Sequence, residues 1–183
     1  MVSKKCVILA VLVYITPLTA IAIAAGLSGW FDLLRNALSD LGHATRSSVA
    51  PIFNLGLYMG SFLLALFALK YSANCSKLIT YLLLLSAFCL GLVAVFDEVY
   101  GLLHFWVSVA FFISVAALLI GYSIEFHSYV YPVAALAAGV ASWITHLAYR
   151  VPRGAAVPEL ISIFLTLPLY LRYVTLVCRN CCK

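Results

Sequence analysis

The chain has 183 residues, of which 66% are apolar and 9% charged, with a formal net charge of +5 and a mean hydropathy of +1.13. A soluble domain carries about 45–50% apolar and about 25% charged residues, so this composition excludes a water-soluble enzyme and a secreted disulfide-framed domain, and its apolarity excludes disorder. What is left is a polytopic membrane protein.

A bilayer-spanning helix needs about 20 mostly apolar residues. Stretches of that kind run over residues 6–26, 51–70, 78–96, 103–123, 129–150 and 158–177. They are too long and too continuously apolar for the alternating strands of a membrane barrel, and helices satisfy their own backbone polar groups in lipid. The chain is therefore predicted to be all-α, a six-helix transmembrane bundle forming a single domain over residues 1–183. Lys4 and Lys5, followed by an apolar run and by Ala22, Ala24 and Ala25, mimic a secretory signal. The uncharged run is long for a signal, so the first stretch is read as a retained helix. Pro17 and Pro168 fall inside spans and should kink them. Small residues four apart, Gly56 with Gly60 and Ala135 with Gly139, should let helices approach closely; homo-oligomerisation is the alternative use of the same faces.

The one long connection, residues 27–50, follows the first span. Its polar residues Asp32, Arg35, Asn36, Ser39, Asp40 and His43 recur every three or four positions, as on one face of a helix. Trp30, Phe31, Leu34, Leu38 and Leu41 take the other face, with Ser28 placed to cap the start and Gly42 to stop the end. This predicts a short amphipathic helix at the membrane interface. Its polar stripe either faces water or turns onto a cavity between the helix ends.

Lys and Arg beside the spans set orientation. Lys4, Lys5, Lys70, Lys77, Arg172, Arg179 and Lys183 gather on one side with Glu125; Arg35, Arg46, Arg150 and Arg153 lie on the other among Asp32, Asp40, Asp97, Glu98 and Glu159. The bias predicts a cell-membrane protein with both termini cytoplasmic, and makes the positive charge a topology signal with no bearing on nucleic acid. Trp30, Trp106 and Trp143 would form an outer aromatic belt, and Tyr71, Tyr81, Tyr122, Tyr129, Tyr131 and Tyr173 an inner one.

Other polar residues fall at the depth of the long loop: Asn54, Asp97, Glu98, His104, His146, Arg150 and Glu159. Ionisable groups near hydrocarbon are costly and usually pair or mark a site. Each also has a plain explanation: Asp97 and Glu98 as loop acids, Glu159 as a helix-start carboxylate favoured by the dipole, the arginines as contacts for lipid phosphates.

The stretch Trp30-Phe-Asp-Leu-Leu-Arg-Asn-Ala-Leu-Ser-Asp-Leu-Gly42, with Ile52-Phe-Asn-Leu-Gly56 after it, resembles the signature of a membrane family known as domain of unknown function 998. Phe96-Asp-Glu followed by His104 is similar to that family's next block, which more often has Phe-Pro there, and Gly154-Ala-Ala-Val-Pro-Glu159 is similar to a late block in which a glutamate opens the last helix. The resemblance implies a six-helix integral membrane protein of archaeal type, and it implies no activity.

Three functional classes remain open. The preferred one is a non-catalytic binding protein whose outward polar pocket holds a lipid headgroup or small anion through Arg35, Arg150 and Arg153, with Asn36, Asp40 and Glu159 lining it. The second is a membrane-embedded zinc hydrolase acting on a lipid, with His43, His104 and His146 as ligands, Asp97 orienting water and Ser39 supporting the oxyanion. That set resembles the alkaline ceramidase and adiponectin-receptor superfamily, although the superfamily's closing pair of histidines four apart is missing. The third is electron transfer through haem held by His104 and His146.

Cys6, Cys75, Cys178, Cys181 and Cys182 all fall at the basic side, and Cys89 within a span. One C-x-x-C pair is weak support for metal or redox work. Free thiols are the preferred reading, with lipidation or an intracellular disulfide as the alternatives.

Overall fold

The computed structural model describes residues 2–181. They form six α-helices: α1 (Lys4–Ser28), α2 (Ala50–Lys70), α3 (Lys77–Val95), α4 (Leu102–Phe126), α5 (Val130–Tyr149) and α6 (Ala156–Asn180). All six are long and apolar enough to cross a membrane, and the described residues include no strand. This is the fold of a multi-pass membrane protein. Polar caps define several ends. Ser3 Oγ accepts from the Cys6 N–H at 3.5 Å and Ser76 Oγ from the Ile79 N–H at 3.2 Å. α1 stops at Gly29, whose φ of 65° suits a residue without a Cβ.

The bundle is apolar on its outside. Val130 and Leu102 are 88% and 72% exposed, and leucine, isoleucine and phenylalanine cover much of the remaining surface. In lipid, apolar side chains gain little by turning inward, so helices are joined by close packing and hydrogen bonds. Both devices are present. Gly56 faces Ala20 and Gly60 lies against the Pro17 ring, so that an added Cβ at either would run into α1. Ser61 Oγ donates to the Ala87 carbonyl at 2.7 Å, joining α2 to α3. Tyr14 and Thr166 hydroxyls meet at 2.7 Å, and the Tyr170 hydroxyl donates to the Ala10 carbonyl at 3.0 Å, joining α1 to α6.

Two expectations need correction here. Of the predicted tyrosine belt, Tyr81, Tyr129 and Tyr131 are exposed, but Tyr71, Tyr122 and Tyr173 are buried. The Tyr173 hydroxyl bonds Ser72 Oγ at 2.6 Å, and that serine also bonds Thr80 at 2.7 Å. The ring is in the core because its polar tip has a partner there. The second small-residue pair also differs from the first: a Cβ on Gly139 would meet only Leu165 Cδ1, at 3.9 Å, so no helix closes on it.

One end of the bundle holds the start of α1, the end of α6 and the 71–76 and 127–129 connections; we call it the cysteine end. Disulfides join Cys6 to Cys178 and Cys75 to Cys181 there, while Cys89 is a buried free thiol in α3. This replaces the free-thiol reading for those four residues; Cys182 lies outside the described residues. The bonds tie the start of α1 and the α2–α3 connection to the end of α6.

The opposite end, which we call the histidine end, carries the long loop. Its predicted helix is shorter than expected. Ser28 closes α1 instead of opening a new helix: its Oγ donates to the Ala25 carbonyl at 2.9 Å and accepts from Phe31 N–H at 3.3 Å. A turn follows over residues 33–36, and only Leu38–Gly42 is helical, as a 3₁₀ helix. Asx side chains explain the change, because they compete with the helix for backbone donors. Asn36 Oδ1 takes the Asp32 N–H at 2.9 Å, and Asp32 Oδ1 takes the Leu34 N–H at 2.8 Å.

Two outcomes follow from this packing. Replacing Gly56 by Leu overpacks the α1–α2 seam and should cost about 1–3 kcal/mol, whereas Gly139→Ala should leave thermal unfolding in detergent within experimental error of wild type. Alkylation of protein unfolded without reductant should find Cys89 but none of Cys6, Cys75, Cys178 and Cys181, all four becoming reactive once reductant is added. Peptide mapping that finds those four alkylated without reductant would contradict the pairing.

Candidate functional site

The long loop folds back over the bundle. Leu38 and Leu41 are buried against Ile21, Val49, Phe53 and Ala156. Three polar contacts fix the loop in place. Glu159 Oε2, in the first turn of α6, accepts the Leu38 N–H at 2.7 Å. Asn54 of α2 donates to the Gly42 carbonyl at 2.9 Å, and Ser47 Oγ donates to the Leu41 carbonyl at 2.7 Å. The α5–α6 connection completes the seal: Gly154 N–H donates to the Leu34 carbonyl at 2.9 Å and Ala156 N–H to the Asn36 carbonyl at 3.0 Å. A Cβ on Gly154 would run into the Asn36 backbone, so this approach requires glycine.

Between the loop and the ends of α4, α5 and α6 lies a cavity of about 850 Å³. Asn36, Ser39, Asp40 and His43 come to it from the loop, His104 and Ser108 from α4, His146 and Trp143 from α5, and Glu159 from α6. Glu98 enters from a short 3₁₀ turn, Glu98–Tyr100, ahead of α4, and Arg46 from the loop.

The acids dominate its chemistry. Asp40 is fixed: its Oδ2 accepts from Asn36 Nδ2 at 3.0 Å and from the Ala37 N–H at 2.9 Å. The neighbouring Glu98 carboxyl is pushed up to about 7, first by burial, then by a hydrogen bond to Asp40 and by the charges of Asp40 and Glu159, with Arg46 opposing. Glu98 Oε2 is itself buried without a hydrogen-bond partner, an acceptor left with no donor.

The histidines are oriented individually. His104 Nδ1 lies 2.7 Å from the Phe96 carbonyl and Nε2 3.3 Å from Ser108 Oγ. His146 Nδ1 lies 2.9 Å from the Pro152 carbonyl. A carbonyl only accepts, so both rings carry their proton on Nδ1. His43 Nδ1 lies 3.3 Å from Thr45 Oγ1 on the loop. Trp143 Nε1 donates to Ser162 Oγ at 3.0 Å.

Of the residues singled out from the sequence, Asn36, Ser39, Asp40, His43, His104, His146 and Glu159 share this cavity. Asp97 does not: its carboxylate caps the Glu98–Tyr100 turn, accepting from the Val99 N–H at 2.8 Å. Arg35 pairs with Asp32 at 3.6 Å on the exposed side of the loop. Arg150 is an exposed left-handed residue ending α5, and Arg153 is also exposed. The proposed zinc set fares no better. Among the described residues, no three His, Cys, Asp or Glu side chains are placed to hold a metal ion. Haem ligation by His104 through Nε2 would require the 3.3 Å Ser108 contact to break, while the Nδ1–Phe96 contact could persist. Glu98, read from the sequence as a loop acid, and Arg46, read there only for its charge, also line the cavity.

The Glu159–Leu38 contact can be tested alone. Glu159→Leu leaves the Leu38 N–H without an acceptor and should cost about 1–3 kcal/mol, seen as faster amide exchange over residues 36–43. Glu159→Gln keeps an acceptor oxygen and should exchange nearly as slowly as wild type; equal exchange in the Leu variant would show that the bond does not hold the loop.

Comparisons with curated proteins and with solved structures give no match. A family model does match, described as "Protein of unknown function (DUF998)", over residues 8–174. That span takes in all of the loop, the Glu98 turn and the Glu159 helix start, and the chain belongs to this family.

Proposed function

We propose that the cavity is a non-catalytic binding site for the head of a membrane lipid, on the face that the charge bias turns outward, and that this head carries hydrogen-bond donors. The observation behind the proposal is the cavity's excess of acceptors: Asp40, Glu98 and Glu159 line it against Arg46 alone among arginines and lysines, and Glu98 Oε2 has no donor. Arg35, Arg150 and Arg153, the residues an anion site would need, stand outside its wall. A hydroxyl or an ammonium supplies what the carboxylates lack, and hydrogen bonds to charged groups are the stronger kind. The His146 ring presents Nε2 as a further acceptor, while that of His104 is already taken by Ser108.

Phosphatidylethanolamine and phosphatidylcholine carry the same phosphate and differ in their N–H donors, so they isolate this feature. Full-length protein in detergent should bind the first about tenfold more tightly, as one hydrogen bond to a charged group warrants. Glu98→Gln should remove most of that preference. Equal affinity of the wild type for the two lipids would overturn the proposal.

The raised Glu98 carboxyl also sets a pH dependence. Its ordinary value is 4.5 and its folded value about 7, so the folded protein holds a proton that the unfolded chain releases. The stabilisation is complete below about 4.5 and is lost as pH rises through about 7. Ligand-free protein should therefore melt at a lower temperature at pH 8 than at pH 5, and Glu98→Gln should flatten that part of the profile. A wild-type profile that rises over the same interval would contradict the assignment.

A further inference from the structure

The polar cavity does not end in polar surface. An apolar groove of about 320 Å³ adjoins it between α4 and α5, floored by α6. Phe105, Val109 and Leu147 border both spaces, as do Phe112 of α4 and Trp143 of α5, whose rings meet at 5.1 Å across the seam where the two spaces adjoin. Further along, Ala116, Ala135 and Gly139 keep the groove open; Leu165 Cδ1, at 3.9 Å, is the nearest atom an added Cβ at Gly139 would meet. Ala135 is buried in the core where the groove ends, toward the cysteine end.

From this adjacency we infer that the groove holds a hydrocarbon chain of the same lipid, so that the ligand is an amphiphile that enters sideways from the bilayer. The inference rests on the head-binding reading above. Length agrees with it. From Phe105 to Leu119 the groove follows α4 for about 21 Å at about 1.5 Å per residue. One leaflet of a hydrocarbon core is about 15 Å deep, half of about 30 Å, so a chain hanging from the cavity lies within the groove. Composition agrees as well. The lining is aliphatic and aromatic apart from Ser162, whose hydroxyl is taken by Trp143 Nε1 at 3.0 Å and by the Pro158 carbonyl at 2.8 Å. The α1–α2 seam gives the contrast: there Gly56 and Gly60 are filled by Ala20 and Pro17, and no chain could lie between the helices.

The test uses full-length protein in detergent with three probes: dioleoyl phosphatidylethanolamine, its dihexanoyl analogue, and free phosphoethanolamine, compared by native mass spectrometry. Wild type should prefer the long-chain lipid over the short one by about tenfold and bind the free head weakest. Gly139→Leu on α5 and Ala116→Phe on α4 each fill the groove from a different wall. Both should bring long-chain affinity down to the short-chain level and leave short-chain affinity unchanged, which also shows that each variant is folded. Long-chain preference retained in both variants would place the chain elsewhere and overturn the inference while the head reading stands. Phosphoethanolamine binding as tightly as the lipid would overturn it too, by making the ligand water-soluble. If dioleoyl phosphatidylcholine matched phosphatidylethanolamine on wild type, the head reading would fail in that arm, and this inference with it.

Discussion

The hydrogen bond from the Leu38 amide to Glu159 is the contact on which the histidine end depends. A carboxylate at the start of a transmembrane helix is costly unless it has donors, and an amide of a loop lying over a bundle end is costly unless it has an acceptor. Each removes the other's penalty, at 2.7 Å. The bond also sets geometry. It holds Leu38 and Leu41 down as apolar wedges and turns Asn36, Ser39, Asp40 and His43 toward the space above α4 and α5. Without it the loop would have only Asn54, Ser47 and the Gly154 connection to hold it, and the cavity would be an open mouth.

The motif Asn36-Ala-Leu-Ser-Asp-Leu-Gly42 can then be read residue by residue. Asn36 offers its side chain to Asp32 and Asp40 and its carbonyl to α6. The leucines are the wedges, and Ser39 and Asp40 face the cavity. Gly42 is glycine because a Cβ there would meet Asn54 Oδ1 and the Phe53 ring. None of this requires an α-helix. The spacing of three and four that predicts one is equally the spacing of Asx turns followed by 3₁₀ structure, and hydrophobic period alone does not separate the two.

The six spans were legible because hydropathy reports what a helix meets in lipid, and that does not depend on its neighbours. Direction around a helix end was much less legible. Asp97 and Glu98 are adjacent carboxylic residues, and only the geometry of capping decides which enters the cavity. There was a signal for it: aspartate is a preferred N-cap and glutamate is not, so a turn opening at Asp97 consumes that carboxylate and leaves Glu98 free. The arginines had no such signal. Arg46 reaches the cavity and Arg35, Arg150 and Arg153 do not, because a long flexible side chain is aimed by its local backbone, not by its depth. Cysteine pairing lay beyond the sequence for a related reason: spacing does not fix connectivity. It took the meeting of α1, α6 and the 71–76 connection to choose the partners.

That meeting sets two topology signals against each other. Lys4, Lys5, Lys70, Lys77 and Arg179 surround the disulfides at the cysteine end, and such a bias belongs to the cytoplasmic face. Disulfides persist in oxidising compartments and, inside cells, chiefly in hyperthermophiles. The two signals agree only where a cytoplasm sustains disulfides. Mechanically, the bonds divide the bundle unequally. They reinforce α1, the α2–α3 connection and α6, which already share glycine seams and buried hydroxyls. α5 receives no disulfide. Its polar ties, Tyr131 to the Leu165 carbonyl and Trp143 to Ser162, both run to α6 and leave α4 free of them. Among the described residues the α4–α5 seam is thus joined by apolar packing, the Phe112–Trp143 ring contact at 5.1 Å included, and by neither a disulfide nor a side-chain hydrogen bond, and it is along this seam that the apolar groove lies.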